Sequence, residues 1–328
     1  MKTRVFLISL SLCAALSCGV DIIHRPGVVQ NDTGSIELLE ESGTGVEDSQ
    51  EDTVEEEQVD DPITDFLQSG PFSVTVDSHT ASVTDCPSMV YSVYSPGVSD
   101  PPVVVLGHGF ARGSGVMTGW AEHLSSWGAE VLLPTLCHYN IWLGVDHEMN
   151  GWNMVELASL HGSASTVYAG HSAGGLAAII AASQDKNAAG VLGLDTTDTE
   201  DIPGVDDHIG QSHAGSVSCP AFLIAGEPST CNAENNGIDL FRMMSDYRSV
   251  RVASSDHCDF ENPTDAVCEM SCENSTVIFG DSEIRSAIIT LGTASVMSMT
   301  GLSEDGIRSW SADGLEAWIA SGLIVEIE

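Results

Sequence analysis

The stretch that decides the fold is Thr166-Val167-Tyr168-Ala169-Gly170-His171-Ser172-Ala173-Gly174-Gly175. Its first four residues read as a short buried strand that ends at Gly170. From Ala173 to Ser183 the chain is small and apolar, which predicts a helix packed tightly on a sheet. Between the two lies Gly-x-Ser-x-Gly. A bare Gly-x-Ser-x-Gly recurs by chance, and the strand before it and the helix after it give this one its weight. The glycines let the backbone of a sharp turn approach its neighbours without a Cβ clash. The turn presents the Ser172 hydroxyl at the carboxyl edge of the sheet, and the helix directs a partial positive charge at it. Ser172 is therefore the candidate nucleophile.

Outward from this turn, strands and helices alternate. Residues 72–77 and 89–94 read as strands. Val103-Val104-Val105-Leu106 is a short buried run that stops at Gly107-His108-Gly109. Residues 117–127 have helical spacing, and 129–133 form a strand that stops at Pro134. Strands follow at 191–194 and 221–225, a helix at 236–247, a strand at 249–253 and two closing helices at 284–299 and 313–323. Short continuous apolar strands alternating with helices predict an α/β class, with a mostly parallel central sheet flanked by helices on both faces.

Serine is a weak nucleophile alone and needs a base held by an acid. Strand 191–194 ends in Asp195. Strand 221–225 ends in Gly226-Glu227-Pro228, which makes Glu227 an alternative acid, and Asp198 is a further one. Asp195, at a strand end, is the preferred assignment. The base is expected after strand 249–253, where His257 is the only histidine. His108 and His171 flank the site and are expected to orient backbone. His79, His123, His138, His147, His161, His208 and His213 read as surface or loop residues. The oxyanion of a tetrahedral intermediate needs donors. The N–H of Ala173 is one, and the N–H of Phe110, in the loop after strand 103–106, is the other.

Three of these stretches resemble the α/β-hydrolase superfamily, and within it the branch of chlorophyllases, platelet-activating-factor acetylhydrolases and bacterial polyester hydrolases. Gly107-His108-Gly109-Phe110, with Trp120 and Leu124 to Gly128, resembles their oxyanion loop and first helix. Gly170 to Gly175 resembles their nucleophile elbow. Leu192-Gly193-Leu194-Asp195 resembles the acid position of the chlorophyllases and acetylhydrolases. Polyester hydrolases carry their acid after the next strand, where this chain has no Asp. The resemblance covers about residues 70–325 and implies the α/β-hydrolase fold and a serine esterase needing no cofactor or metal. It implies a small-molecule or lipid ester as substrate; the alternatives are an amide or thioester hydrolase, or a surface lipoprotein that keeps the fold as a binding module without turnover. His171, Met117 and Trp142 are expected near the substrate pocket.

Of nine cysteines, Cys13 and Cys18 lie at the N-terminus and seven remain. Export makes disulfides the default for these, and an odd number leaves one over. The loops holding Cys231 and Cys258 are neighbours in the fold the resemblance implies. A Cys231–Cys258 bridge is expected there, as polyester hydrolases bridge the same two loops. Cys268 and Cys272 are close enough to pair locally, and either could pair elsewhere.

Lys2 and Arg4, the apolar stretch Val5 to Leu16, and Ala15-Leu16-Ser17-Cys18 read as a signal peptide over 1–18. Its end resembles a bacterial lipobox, with Cys18 as the residue to be lipidated. The expected location is the bacterial cell envelope or the medium, with the membrane engaged only through that anchor. Residues 19–65 read as an acidic tether: Asp32 to Asp65 holds fourteen acids and neither Lys nor Arg. The catalytic domain is expected over 66–328. The whole chain carries 48 acids against 10 Lys+Arg, a formal charge of −38, which argues against binding nucleic acid. Hydrophobic residues make up 42%, enough for a sizeable core and against wholesale disorder.

Overall fold

A computed structural model describes residues 64–140, 144–200, 205–272 and 278–327. The signal, Cys18, nearly all of the acidic tether and Trp142 lie outside these residues. The described residues belong to one compact unit, Val59–Glu328, and Phe66, where the domain was expected to start, is fully buried in its core.

The elements run β1 (Thr75–Val83), β2 (Cys86–Ser95), β3 (Val103–Gly107), α1 (Thr118–Ser126), β4 (Glu130–Pro134), β5 (Tyr139–Asn140), β6 (Gly144–Val145), α2 (His147–Leu160), β7 (Thr166–His171), α3 (Ala173–Gln184), β8 (Ala188–Leu194), α4 (Gln211–Ala214), β9 (Ala221–Ala225), α5 (Gly237–Arg242), β10 (Tyr247–Val252), α6 (Ala266–Cys272), α7 (Asp281–Thr300), α8 (Asp305–Arg308), α9 (Ala312–Ser321) and β11 (Ile324–Glu326). Nine strands form one sheet in the order β1-β2-β4-β3-β7-β8-β9-β10-β11. The run from β4 to β10 is parallel. β1, β2 and β11 join its two edges antiparallel.

The strand sequences explain the layering. Alternate side chains leave opposite faces of a strand. Val104 and Leu106 of β3, Val167 and Ala169 of β7, and Phe222 and Ile224 of β9 enter one core with Trp120 and Leu124 of α1 and Ile288 and Leu291 of α7. Val105, Tyr168 and Leu223 enter a second core with Met154 and Leu157 of α2, Ile179 of α3 and Phe241 of α5. Helices thus cover both faces of a mostly parallel sheet. This is the α/β class expected from the continuous apolar strands.

Three differences from the expected elements have local causes. α2 was not anticipated, because Asn150, Gly151 and Asn153 interrupt its apolar face, yet all three are buried. Asp146 caps it by accepting the Met149 N–H at 2.8 Å. The last helix stops at Ser321, since Gly322 adopts φ +80°. The chain then pairs with β10 as β11. The helix expected over 236–247 shortens to α5, and β10 begins at Tyr247.

The expected Cys231–Cys258 bridge is replaced by two others, Cys231–Cys272 and Cys258–Cys268. The reason is α6. It presents Cys268 and Cys272 one turn apart, which places both on one face of the helix. Each takes a cysteine from a different loop, so the two loops are joined through the helix instead of directly. The same arrangement rules out a local Cys268–Cys272 pair. A third bridge joins Cys86 to Cys137, and Cys219 is the buried free thiol among the described residues.

Candidate active site

Ser172 stands between β7 and α3 at φ 56°, ψ −125°, a strained conformation for a residue with a Cβ. Such a conformation costs about 1–3 kcal/mol and persists only where the surroundings enforce it. The surroundings here are backbone bonds. Ser172 N–H donates to the Leu194 carbonyl at 3.0 Å, and the Ser172 carbonyl accepts from Gly175 at 2.9 Å and Leu176 at 3.2 Å. Gly174 permits the turn, because a Cβ there would lie 2.5 Å from the Gly107 carbonyl and 2.7 Å from that of His108.

Asp195 follows β8 at φ 44° and is 1% exposed. Its backbone N–H donates to Ile224 at 2.8 Å. Its carboxylate accepts the Gly226 N–H at 2.8 Å and the Asn232 side-chain amide at 3.1–3.2 Å. It also accepts from His257 Nδ1 at 2.6 Å. An ionised carboxylate only accepts, so this bond puts the imidazole proton on Nδ1 and leaves Nε2 as the basic atom.

His257 opens a short turn after β10. Asp256 holds that turn by accepting the N–H groups of Cys258 at 2.7 Å and Asp259 at 3.2 Å. His171 supports the same residue from beneath. Its Nε2–H donates to the His257 carbonyl at 2.9 Å, and the two rings lie 4.4 Å apart. Burial, reinforced by the neighbouring His257, holds His171 well below the usual imidazole pKa. It is a neutral donor that sets the position of its neighbour.

The loop after β3 is fixed in a comparable way. His108 accepts the Leu136 N–H on Nε2 at 3.0 Å and so donates from Nδ1 to the Gly109 carbonyl at 2.9 Å. Burial pushes its pKa down to about 4. Gly109 lets this loop close on the serine, since a Cβ there would lie 3.3 Å from Ser172 Cβ. Arg112 then spans to the His257 loop. Its Nε and Nη2 donate to the two oxygens of Glu261 at 2.6 and 2.7 Å, and Nη2 also meets Asp265 at 3.0 Å. The Glu261 side chain is fully buried. Backbone bonds from Asn262 N–H to Val116 at 2.8 Å and from Gly119 N–H to Asn262 at 2.7 Å complete the tie.

Two cavities flank Ser172. One, of about 310 Å³, is lined by His257, His171, Arg112 and Val267. The other, of about 210 Å³, is lined by Ala173, Leu176, His147, Asp198 and Thr230. Phe110 and Cys231 border both. Among the described residues, neither the Phe110 nor the Ala173 N–H donates to a protein acceptor.

Ser172, Asp195, His257, His171, Phe110 and Ala173 thus come together. Glu227 does not join them: its carboxylate accepts the Ser254 N–H at 3.2 Å and faces Arg251 at 3.5 Å. Met117, expected near the pocket, is instead fully buried in the core that also holds Trp120, because it is the buried residue of the short turn Ser114–Met117. His147, expected on the surface or in a loop, is 2% exposed, opens α2 and lines the smaller cavity. Arg112, Glu261 and Asn232 went unread, and no spacing in the sequence marks them. Among the described residues, the metal-ligand types that cluster are Cys258, Cys268 and Cys272. All three are in disulfides, whose sulfurs lack the thiolate charge a metal takes. No protein-family model matches the chain, and no curated protein matches it either.

Proposed function

We propose that the chain is an exported serine hydrolase of the α/β-hydrolase fold that cleaves carboxylic esters. The observation that carries this reading is the 2.6 Å bond from His257 Nδ1 to a buried, three-fold hydrogen-bonded Asp195, beside a strained Ser172 that shares a cavity with His257. Export is supported by three disulfides, which persist in oxidising compartments, and by the signal-like N-terminus. Cys18 remains the candidate for lipid attachment.

In the first half-reaction, His257 Nε2 takes the proton of Ser172 Oγ as Oγ attacks the ester carbonyl carbon. The carbonyl oxygen becomes an oxyanion, held by the N–H groups of Phe110 and Ala173. Collapse breaks the bond to the alcohol oxygen, which leaves with the proton from Nε2. The acyl group stays on Oγ. Water then repeats the sequence, with His257 taking its proton and returning it to Oγ. Asp195 keeps its charge throughout and stabilises the imidazolium. Because the leaving oxygen must reach Nε2, the alcohol portion belongs in the cavity that His257 lines, and the acyl portion in the smaller one.

The test is hydrolysis of p-nitrophenyl butyrate by the purified protein beside Ser172→Ala. Turnover that disappears with the hydroxyl, in a variant that melts like wild type, is the expected result. Equal rates in both proteins would overturn the proposal.

A further inference from the structure

The smaller cavity holds polar groups that the esterase chemistry does not use. His147 and Asp198 both line it, and both are more than nine-tenths buried. Both ring nitrogens of His147 lack a partner among the described residues, as does Oδ2 of Asp198. The second oxygen of Asp198 is saturated, accepting the Thr199 N–H at 2.8 Å and the Gly210 N–H at 2.9 Å. Buried polar groups are nearly always paired, by protein, water or ligand. Three orphan atoms on two residues beside a candidate nucleophile are open to a polar group that enters with the substrate.

Chemistry narrows that partner. Burial pushes the His147 pKa down to about 4, so near neutral pH its ring offers one donor and one acceptor. Burial raises the Asp198 pKa; ionised, its free oxygen only accepts, and protonated it donates as well. A hydroxyl both donates and accepts, which matches what each residue offers. Leu176 and Phe110, which line the same cavity, suit a short apolar chain that carries it. We infer that the acyl group of the substrate is short and hydroxylated, and that His147 and Asp198 select it. This rests on the esterase reading and on the acyl portion facing away from His257.

The experiment compares kcat/KM for p-nitrophenyl butyrate and p-nitrophenyl 3-hydroxybutyrate in wild type, Ser172→Ala, Asp198→Asn and His147→Phe. Asp198→Asn keeps a side-chain oxygen for the Thr199 and Gly210 N–H groups and replaces the orphan acceptor with a donor. Wild type is expected to favour the hydroxylated ester by about tenfold or more, because a site built for a hydroxyl leaves its own groups unpaired with the plain chain. Asp198→Asn is expected to bring that ratio towards one. His147→Phe serves in its place if Asp198→Asn fails to fold. Hydrolysis that depends on Ser172 but shows no preference, or a preference untouched by the substitution, would overturn this inference alone. No Ser172-dependent hydrolysis of either ester would overturn the esterase reading, and this inference with it.

Discussion

Replacing Arg112 by Met is expected to destabilise the protein by about 3–5 kcal/mol, the range for removing one partner of a buried ion pair. The carboxylate end puts this pair in that class, and the 16% exposure of the Arg112 side chain puts the expected loss at the lower end of the range. Glu261 is fully enclosed, and both of its oxygens accept charge-assisted bonds from one guanidinium at 2.6 and 2.7 Å. Methionine fills the space of the arginine stem but offers no donor. The carboxylate is then left in a low-dielectric site without its counterion. The double substitution Arg112→Met with Glu261→Met removes both charges, and its loss should be well below that of Arg112→Met alone. Urea unfolding of wild type, both single variants and the double variant, with disulfides intact, measures the cycle. The pair also joins the Phe110 loop to the His257 loop, so Arg112→Met should lower kcat more than it raises KM for p-nitrophenyl butyrate. A single variant within about 1 kcal/mol of wild type, or a double variant as unstable as the sum of the singles, would refute the assignment.

Two further outcomes follow from the same geometry. Asp195→Asn should cut kcat on the order of 10⁴-fold with little change in fold, because an amide facing Nδ1 favours the wrong imidazole tautomer; a loss of less than tenfold would count against the acid role. Burial lowers the folded pKa of His147 to about 4 from about 6.5 in the unfolded chain. A base lowered in this way supports the fold above about 6.5 and withdraws that support as the pH falls towards 4, so the stability of wild type relative to His147→Phe should decline by up to about 1.4 kcal/mol per pH unit across that window. Parallel profiles for the two proteins would show that the ring is not buried uncharged.

What the sequence made legible was what is local. β3 and β9 are apolar along their length, and β7 is buried along its length, because both faces are covered, and that pattern needs no knowledge of the partner strands. Ser172 was readable because strand, turn and helix are contiguous. That Asp195 and His257 meet was readable because parallel strands deliver their ends to one edge. α2 was hidden by residues whose purpose is tertiary. A Cβ at Gly151 would lie 2.6 Å from Ile180 Cγ2, so a residue that weakens the helical pattern is what lets α2 lie against α3. Asn232 and Glu261 act on partners 37 and 149 residues away, and no local pattern encodes such a distance. The disulfide pairing failed for a related reason. The two loops are neighbours, but the helix that comes between them carries no strong signal of its own.

That helix gives the larger cavity an unusual kind of wall. α6 contributes Val267, Cys268 and Cys272 to the cavity, while its cysteines fasten it to the segment bearing Asn232 and to the turn bearing His257. The cavity wall, the His257 turn and the Asn232 segment are thus covalently joined through one helix. Cys258 is next to His257 and Cys231 is next to Asn232, whose amide donates to Asp195. Under the proposed ester chemistry this ties the width of the larger cavity to the alignment of His257 and Asp195, since one helix is fastened to the segments that carry or steady both.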